Sequence, residues 1–140
     1  MVGVGRDGKY YMLARVSIVN HFGNCVYDKY VKPRQLVTDY RTKFSGIRPG
    51  DIKNGENFKI VQKEVSDMLK KKVLIGHGIR SDLHCLSLDH PKKNIRDTSM
   101  YKPFQLALEI KHTPSLKLLA SKMLGESIQV SKSLSHLAST

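Results

Sequence analysis

Asp82 is the acid in this sequence best placed to do chemistry. It follows the apolar run Val73-Leu74-Ile75 and the link Gly76-His77-Gly78-Ile79-Arg80-Ser81. In open α/β sheets, ligands gather beyond the carboxyl ends of strands. A carboxylate there can hold a hard cation such as Mg²⁺, or it can be an ordinary helix-capping Asp. Gly76-His77-Gly78 could bring backbone close to a phosphate, though a hydrogen-bonded structural His fits it as well. Asp39-Tyr40-Arg41-Thr42 is a second cluster. Arg41 can grip phosphate or ribose and Tyr40 can stack on a base. The plainer alternative is a surface Arg beside a packing Tyr. His136 is isolated in a polar tail.

The charge balance says what such groups would meet. Lys and Arg number 24 against 12 acids, a formal charge of +12. An excess of that kind repels itself unless it meets a polyanion, and nucleic acid fits because neutralised phosphates release counterions. Lys70-Lys71-Lys72 and Lys92-Lys93 add to this attraction, although solvated charge explains each run alone. No long apolar run or basic amphipathic helix stands out, so a membrane is not expected. No protein partner is readable. Cys25 and Cys85 form no C-x-x-C pair, so structural zinc is not expected. Both sit in apolar segments and read as buried free thiols, which suits a reducing compartment, nucleus or cytosol.

The elements that must position these residues follow from periodicity. Residues 13–19 alternate as a strand, His21-Phe22-Gly23-Asn24 is a turn, and residues 25–31 form a second strand ended by Pro33, giving an antiparallel hairpin. Met1 to Gly5 reads as the end of a preceding strand, followed by a turn at Arg6-Asp7-Gly8-Lys9. Residues 34–56 read as irregular. Asn57 is placed to cap a helix from Phe58 to about Lys71, with Phe58, Val61, Val65, Met68 and Leu69 on one face. Val73-Leu74-Ile75 reads as a buried parallel strand. Ile79, Leu83 and Leu86 recur at helical spacing, and residues 94–98 fit a short edge strand. Pro114 is read as opening a helix that runs to about Leu124, where Gly125 caps it. The result is an α/β domain with a mixed sheet.

Several segments occur in a familiar order. Ala14-Arg15-Val16-Ser17-Ile18-Val19-Asn20, Val26-Tyr27-Asp28-Lys29-Tyr30-Val31-Lys32-Pro33 and Thr38-Asp39-Tyr40-Arg41-Thr42 are followed by Ser45-Gly46-Ile47-Arg48-Pro49. Then come Gly76-His77, Ser81-Asp82-Leu83, Asp89-His90-Pro91-Lys92-Lys93, Ile95-Arg96-Asp97-Thr98, Tyr101-Lys102-Pro103-Phe104 and Pro114-Ser115-Leu116. Over residues 1 to about 130 the chain resembles the DEDDh family of 3′-to-5′ exonucleases, in its RNA exonuclease 4 branch. The resemblance implies a ribonuclease-H-like mixed β-sheet flanked by helices, with residues 1–130 a partial exonuclease domain and 131–140 a divergent tail.

The same resemblance implies 3′-to-5′ hydrolysis of RNA, and often of single-stranded DNA, by two divalent ions, Mg²⁺ or Mn²⁺, held by four acids with a histidine as general base. Asp82 matches the third acid. Met1 and Arg41 match positions that contact the terminal ribose. His136 matches the family histidine only with a slip of one residue. The family's D-x-E is followed directly by Met-Val-Gly, so its two acids would precede Met1, and no acid follows His136. One Asp cannot neutralise two divalent ions or set their separation. The chain as written is therefore expected to be inactive, with most of the central first strand missing; the alternative is a catalytically dead nucleic-acid-binding module. A role in rRNA processing and a nuclear, nucleolar location are further implications.

Overall fold

The computed structural model describes residues 1–128, so His136 and the tail lie outside the described residues. The chain forms two units. One is Met1–Val73 with Arg80–Asn94; the other is Leu74–Ile79 with the described residues from Ile95 onward.

In the first unit, β1 (Val2–Val4) lies between β2 (Tyr10–Met12) and β5 (Val37–Asp39) and is antiparallel to both. A 3-10 turn at Arg6–Gly8 joins β1 to β2. Gly8 is required in it: its φ is +63°, and a Cβ would meet the Asp39 Cβ at 2.9 Å. One face of this small sheet is apolar. Val2, Val4 and Met12 bury there against Ile47 and Ile52. Those two come from the segment read as irregular, which in fact holds β5, α1 (Thr42–Ser45) and α2 (Pro49–Lys53). The segment is too short-pitched to show periodicity: α1 and α2 have four and five residues.

The hairpin forms as its pattern requires. β3 (Arg15–Val19) pairs antiparallel with β4 (Cys25–Tyr30). In the turn, Asn20 Oδ1 accepts from the N–H groups of Phe22 and Asn24 at 3.0 Å, and Gly23 takes φ +84°. The helix α3 (Phe58–Leu69) begins where Asn57 accepts from Lys59 N. It lays Phe58, Val61 and Val65 onto Leu13, Val16 and Val31. Its polar side also ties to the hairpin, through Glu64 to Tyr27 and Lys29. Cys25 departs from expectation. It is exposed, because the bulge between Ile18 and Val19 leaves it opposite exposed Val19 at the hairpin's turn end.

In the second unit, β6 (Leu74–Gly76) pairs in parallel with β7 (Ile95–Asp97) as a two-stranded sheet. The expected parallel partner is present, but full burial is not: Ile75 is 68% exposed. The helix α4 (Ile79–Leu86) follows β6 in the chain, and all of it after Ile79 belongs to the first unit. Beyond β7 come α5 (Lys102–Ala107), which sequence periodicity did not suggest, and α6 (Leu116–Leu119). Ser115 caps α6 by accepting from Leu118 N. Pro114 therefore stands before the cap and not in the first turn. The helical path then widens to a π-helical stretch at Ala120–Leu124, closed by Gly125 in the left-handed region.

Candidate nucleic-acid interface

Arg41 sits where β5 hands over to α1, in the left-handed region at φ 50°. That conformation costs a non-glycine residue of order 1 kcal/mol. It is held by the Arg41 N–H, which donates to Asp39 Oδ1 at 2.8 Å. The side chain is pinned as well. Nη2 donates to Gly8 O at 3.2 Å, Nε lies 3.6 Å from Asp39 Oδ2, and Cζ stands 4.5 Å over the Tyr11 ring. A guanidinium has five N–H donors in a fixed plane. These contacts leave donors for an anion, and about a third of the side chain, 32%, is exposed. Tyr40 does not stack outward; it is half-buried against the Val2 and Ile52 cluster.

Met1 and Asp82 approach the same place. Met1 Sδ lies 3.1 Å from Cys85 Sγ, and Cys85 Sγ lies 3.9 Å from Tyr11 O. Asp82 is exposed and lies one turn before Cys85 on α4, in the helix's first turn, where an acid suits the helix dipole. The Cys85 thiol registers its neighbours. Burial pushes its pKa up; the N-terminal ammonium and Arg34 pull it down, and Asp82 adds to the rise. Met1, Asp82, Arg34 and Arg41 thus gather around Tyr11 and Cys85. Tyr11 was missed in the sequence because Tyr10-Tyr11 follows a glycine turn and carries no spacing signal of its own.

The helix-capping reading of Asp82 is not what the fold uses. Asp82 is the fourth residue of α4. The acid that takes the N–H groups of Gly78 and Ile79 is Asp97, through Oδ1 and Oδ2 at 2.9 Å each. Ser99 donates to the same carboxylate from its N–H at 3.0 Å and from its hydroxyl at 2.7 Å. Partial burial alone would push the Asp97 pKa up. The Ser99 hydroxyl and the N–H groups of Gly78, Ser99 and Ile79 outweigh burial and hold it below the usual carboxylate range. The signal for this role was present: an Asp followed by Thr and Ser at a strand end is a local acceptor for backbone N–H groups. His77 is structural in its contacts, with Nδ1 3.0 Å from Thr98 Oγ1.

The lysine runs are brought together by His90, whose Nε2 lies 3.0 Å from Lys72 O. Among the described residues no group of three or more His, Cys, Asp or Glu could hold a metal ion. Asp82 by itself does not fit a pair of divalent ions.

Comparison with known proteins gives this arrangement its context. The Exonuclease family (RNase T) matches residues 1–136. RNA exonuclease 4 of Xenopus laevis is 61% identical over 129 residues, covering 92% of this chain and 30% of that protein. The Homo sapiens protein of the same name is 58% identical, with 92% and 30% covered. The Saccharomyces cerevisiae one is 48% identical, with 91% and 44% covered. The chain thus spans between 30% and 44% of these relatives' length. Among solved structures, the exonuclease module of Saccharomyces cerevisiae Pan2 in complex with AAGGAA RNA superposes with a TM-score of 0.75 at 29% identity. That match covers 91% of this chain and 24% of the Pan2 chain. The Neurospora crassa Pan2 catalytic unit gives 0.69 at 26% identity, with 84% and 21% covered. The segments singled out in the sequence, the mixed α/β architecture and these matches agree: the chain belongs to the Exonuclease family, with a ribonuclease-H-like fold and close similarity to RNA exonuclease 4.

Proposed function

We propose that this chain is the RNA-gripping part of a 3′-to-5′ exoribonuclease domain, acting on the 3′ end of RNA and also accepting single-stranded DNA. The observation that carries the reading is the gathering of Met1, Arg41 and Asp82 around Tyr11 and Cys85. A fixed guanidinium suits a phosphate or ribose. The exposed Asp82 carboxylate, near Cys85 on α4, suits a hydrated divalent cation. The Pan2 neighbours that carry RNA support RNA as the ligand.

Two-metal hydrolysis is the chemistry proposed for the family's complete site, with Mg²⁺ or Mn²⁺ as the ions. The described residues do not supply the ligands for it. What they can do is bind and orient: Arg41 holds the terminal nucleotide, Met1 lies against it and Asp82 contributes one carboxylate. The second reading is a nucleic-acid-binding module without cleavage. Nuclear and nucleolar residence and a part in rRNA processing complete the proposal, supported by the +12 charge and by similarity to RNA exonuclease 4.

A hexanucleotide RNA carrying a 5′ fluorophore tests it, by anisotropy and by gel with Mn²⁺ present. Salt-sensitive binding that Arg41→Ala weakens about tenfold supports the grip. Stepwise shortening from the 3′ end that Asp82→Asn abolishes supports the exonuclease; binding with no shortening supports the second reading. Absence of binding at low salt overturns both.

A further inference from the structure

The two lysine runs of the first unit form one surface. Lys70-Lys71-Lys72 follows the last turn of α3, and Lys92-Lys93 forms a 3-10 turn with Asn94. His90 Nε2 lies 3.0 Å from Lys72 O, which brings the second run up to the first. Each run is fixed by its own turn. Lys71 takes the left-handed region at φ 59°, and the Lys72 N–H donates to Leu69 O at 3.0 Å. The Asn94 N–H donates to Pro91 O at 2.8 Å. All five lysines are exposed.

The end of the helix accounts for part of this charge only. A cation suits the carbonyl end of a helix. Lys70 meets that need as the C-cap of α3, while its Nζ pairs with Asp67 Oδ1 at 2.7 Å. Over residues 66–73 and 88–94 the acids are Asp67 and Asp89, against five lysines. Holding these cations together works against folding by self-repulsion unless an anion lies over them.

The kind of anion follows from what the surface lacks. Neither stretch contains Phe, Tyr or Trp. Sites for single-stranded nucleic acid combine cations with aromatic rings on which the bases stack. Lysines without rings offer point charges to phosphates and nothing to a base face. They fit a nucleic acid whose bases are already stacked away inside a double helix. The length of α3 also separates this surface from the other cationic region. Twelve residues, about 18 Å of helix, lie between it and Phe58, the ring on which Arg34 rests.

We propose that the lysine surface at the C-terminal end of α3 binds the phosphate backbone of double-helical RNA, gripping a folded stem apart from the place that holds the 3′ end. The proposal rests on the reading under Proposed function only in taking RNA as the ligand. Double-helical RNA is recognised through its shape and phosphates, so this grip is independent of sequence.

The experiment follows by anisotropy a fluorescein-labelled blunt RNA stem-loop and, separately, the labelled hexanucleotide. The combined variant Lys71→Gln, Lys72→Gln, Lys92→Gln should weaken stem-loop binding about tenfold and lower its slope against log salt by about three. The hexanucleotide should bind this variant as it binds the parent. Lysine-to-arginine changes at the same three positions should keep stem-loop binding, because they keep the charge. Arg41→Ala should leave the stem-loop unaffected. A stem-loop salt slope equal to the parent's in the glutamine variant overturns the proposal, and so does an equal loss for both RNAs. A poly-glutamate peptide that displaces the stem-loop as readily as unlabelled stem-loop does overturns it in favour of an acidic protein partner. Failure of the hexanucleotide to bind, with the stem-loop still bound through the lysines, overturns the Met1 and Arg41 grip and leaves this surface standing.

Discussion

The guanidinium of Arg41 stands 4.5 Å over the Tyr11 ring while its Nη2 donates to Gly8 O at 3.2 Å. A planar, forked cation can make both contacts at once, whereas an ammonium cannot. Arg41→Lys should therefore cost about tenfold in RNA affinity while keeping the charge. Its effect on stability should be limited to about 1 kcal/mol, the worth of a cation–π contact at such exposure. Anisotropy with Arg41→Lys, Tyr11→Leu and the double variant measures the coupling. Additive losses would show that Tyr11 does not orient Arg41.

Asp97 ties Gly78, Ile79 and Ser99 to one carboxylate. Asp97→Ala should destabilise by about 2–3 kcal/mol, because the helix-opening N–H groups lose their acceptor. The pH dependence follows from the depressed native pKa. The contribution is fully present above the unfolded value of 3.8 and is lost as pH falls through the lower native value. Urea melts between pH 6 and about pH 3 should show a steeper acid loss for the parent chain than for Asp97→Asn. Parallel curves would refute this.

Tyr27 donates to Glu64 Oε2 at 2.6 Å, and Lys29 Nζ lies 2.9 Å from the same oxygen. Burial raises the Tyr27 pKa, and its bond to Glu64 raises it further. Ionising it in the folded chain therefore costs stability: the contribution is present below the unfolded value of 10.0 and disappears as pH rises through the higher native one. A spectrophotometric titration should show one of the six tyrosines ionising only with unfolding, and Tyr27→Phe should remove that late step. Tyr27→Phe should cost about 1 kcal/mol, since Lys29 continues to pair with Glu64.

The packing beneath the interface is also open to test. Val61 is fully buried in the α3 core, and Val61→Ala should cost about 1–3 kcal/mol. Gly8→Ala should match or exceed this, because Gly8 is buried in its turn and the new methyl would press on Asp39 at φ +63°. A thermal melt compares the two. A silent Gly8→Ala would show that the turn can rearrange.

The long elements were legible in the sequence for physical reasons. The hairpin has strict alternation and a glycine turn, and α3 has a stated cap and a clean apolar face; both stand as read. The short elements were not. β2, β5, α1 and α2 have three to five residues each and take their form from contacts distant in sequence, such as Val2 and Val4 meeting Ile47 and Ile52. Ile75 misled for a related reason: an apolar triplet reads as buried, while here its sheet has one partner strand. At the candidate site, Arg41 and Asp82 were singled out in the sequence, and the structure places Arg41 over Tyr11 and Asp82 on α4 near Cys85. Tyr11 was not, because it carries no spacing signal of its own, and the Asp97 role was passed over although its strand-end Asp-Thr-Ser was an available signal.

The carboxylate of Asp97 also sets how its part of the molecule breathes. Three amides, those of Gly78, Ile79 and Ser99, share that one acceptor. None can exchange with deuterium without disturbing the charge that satisfies the other two. Their protection should consequently rise and fall together as a single opening event, well apart from the neighbouring amides.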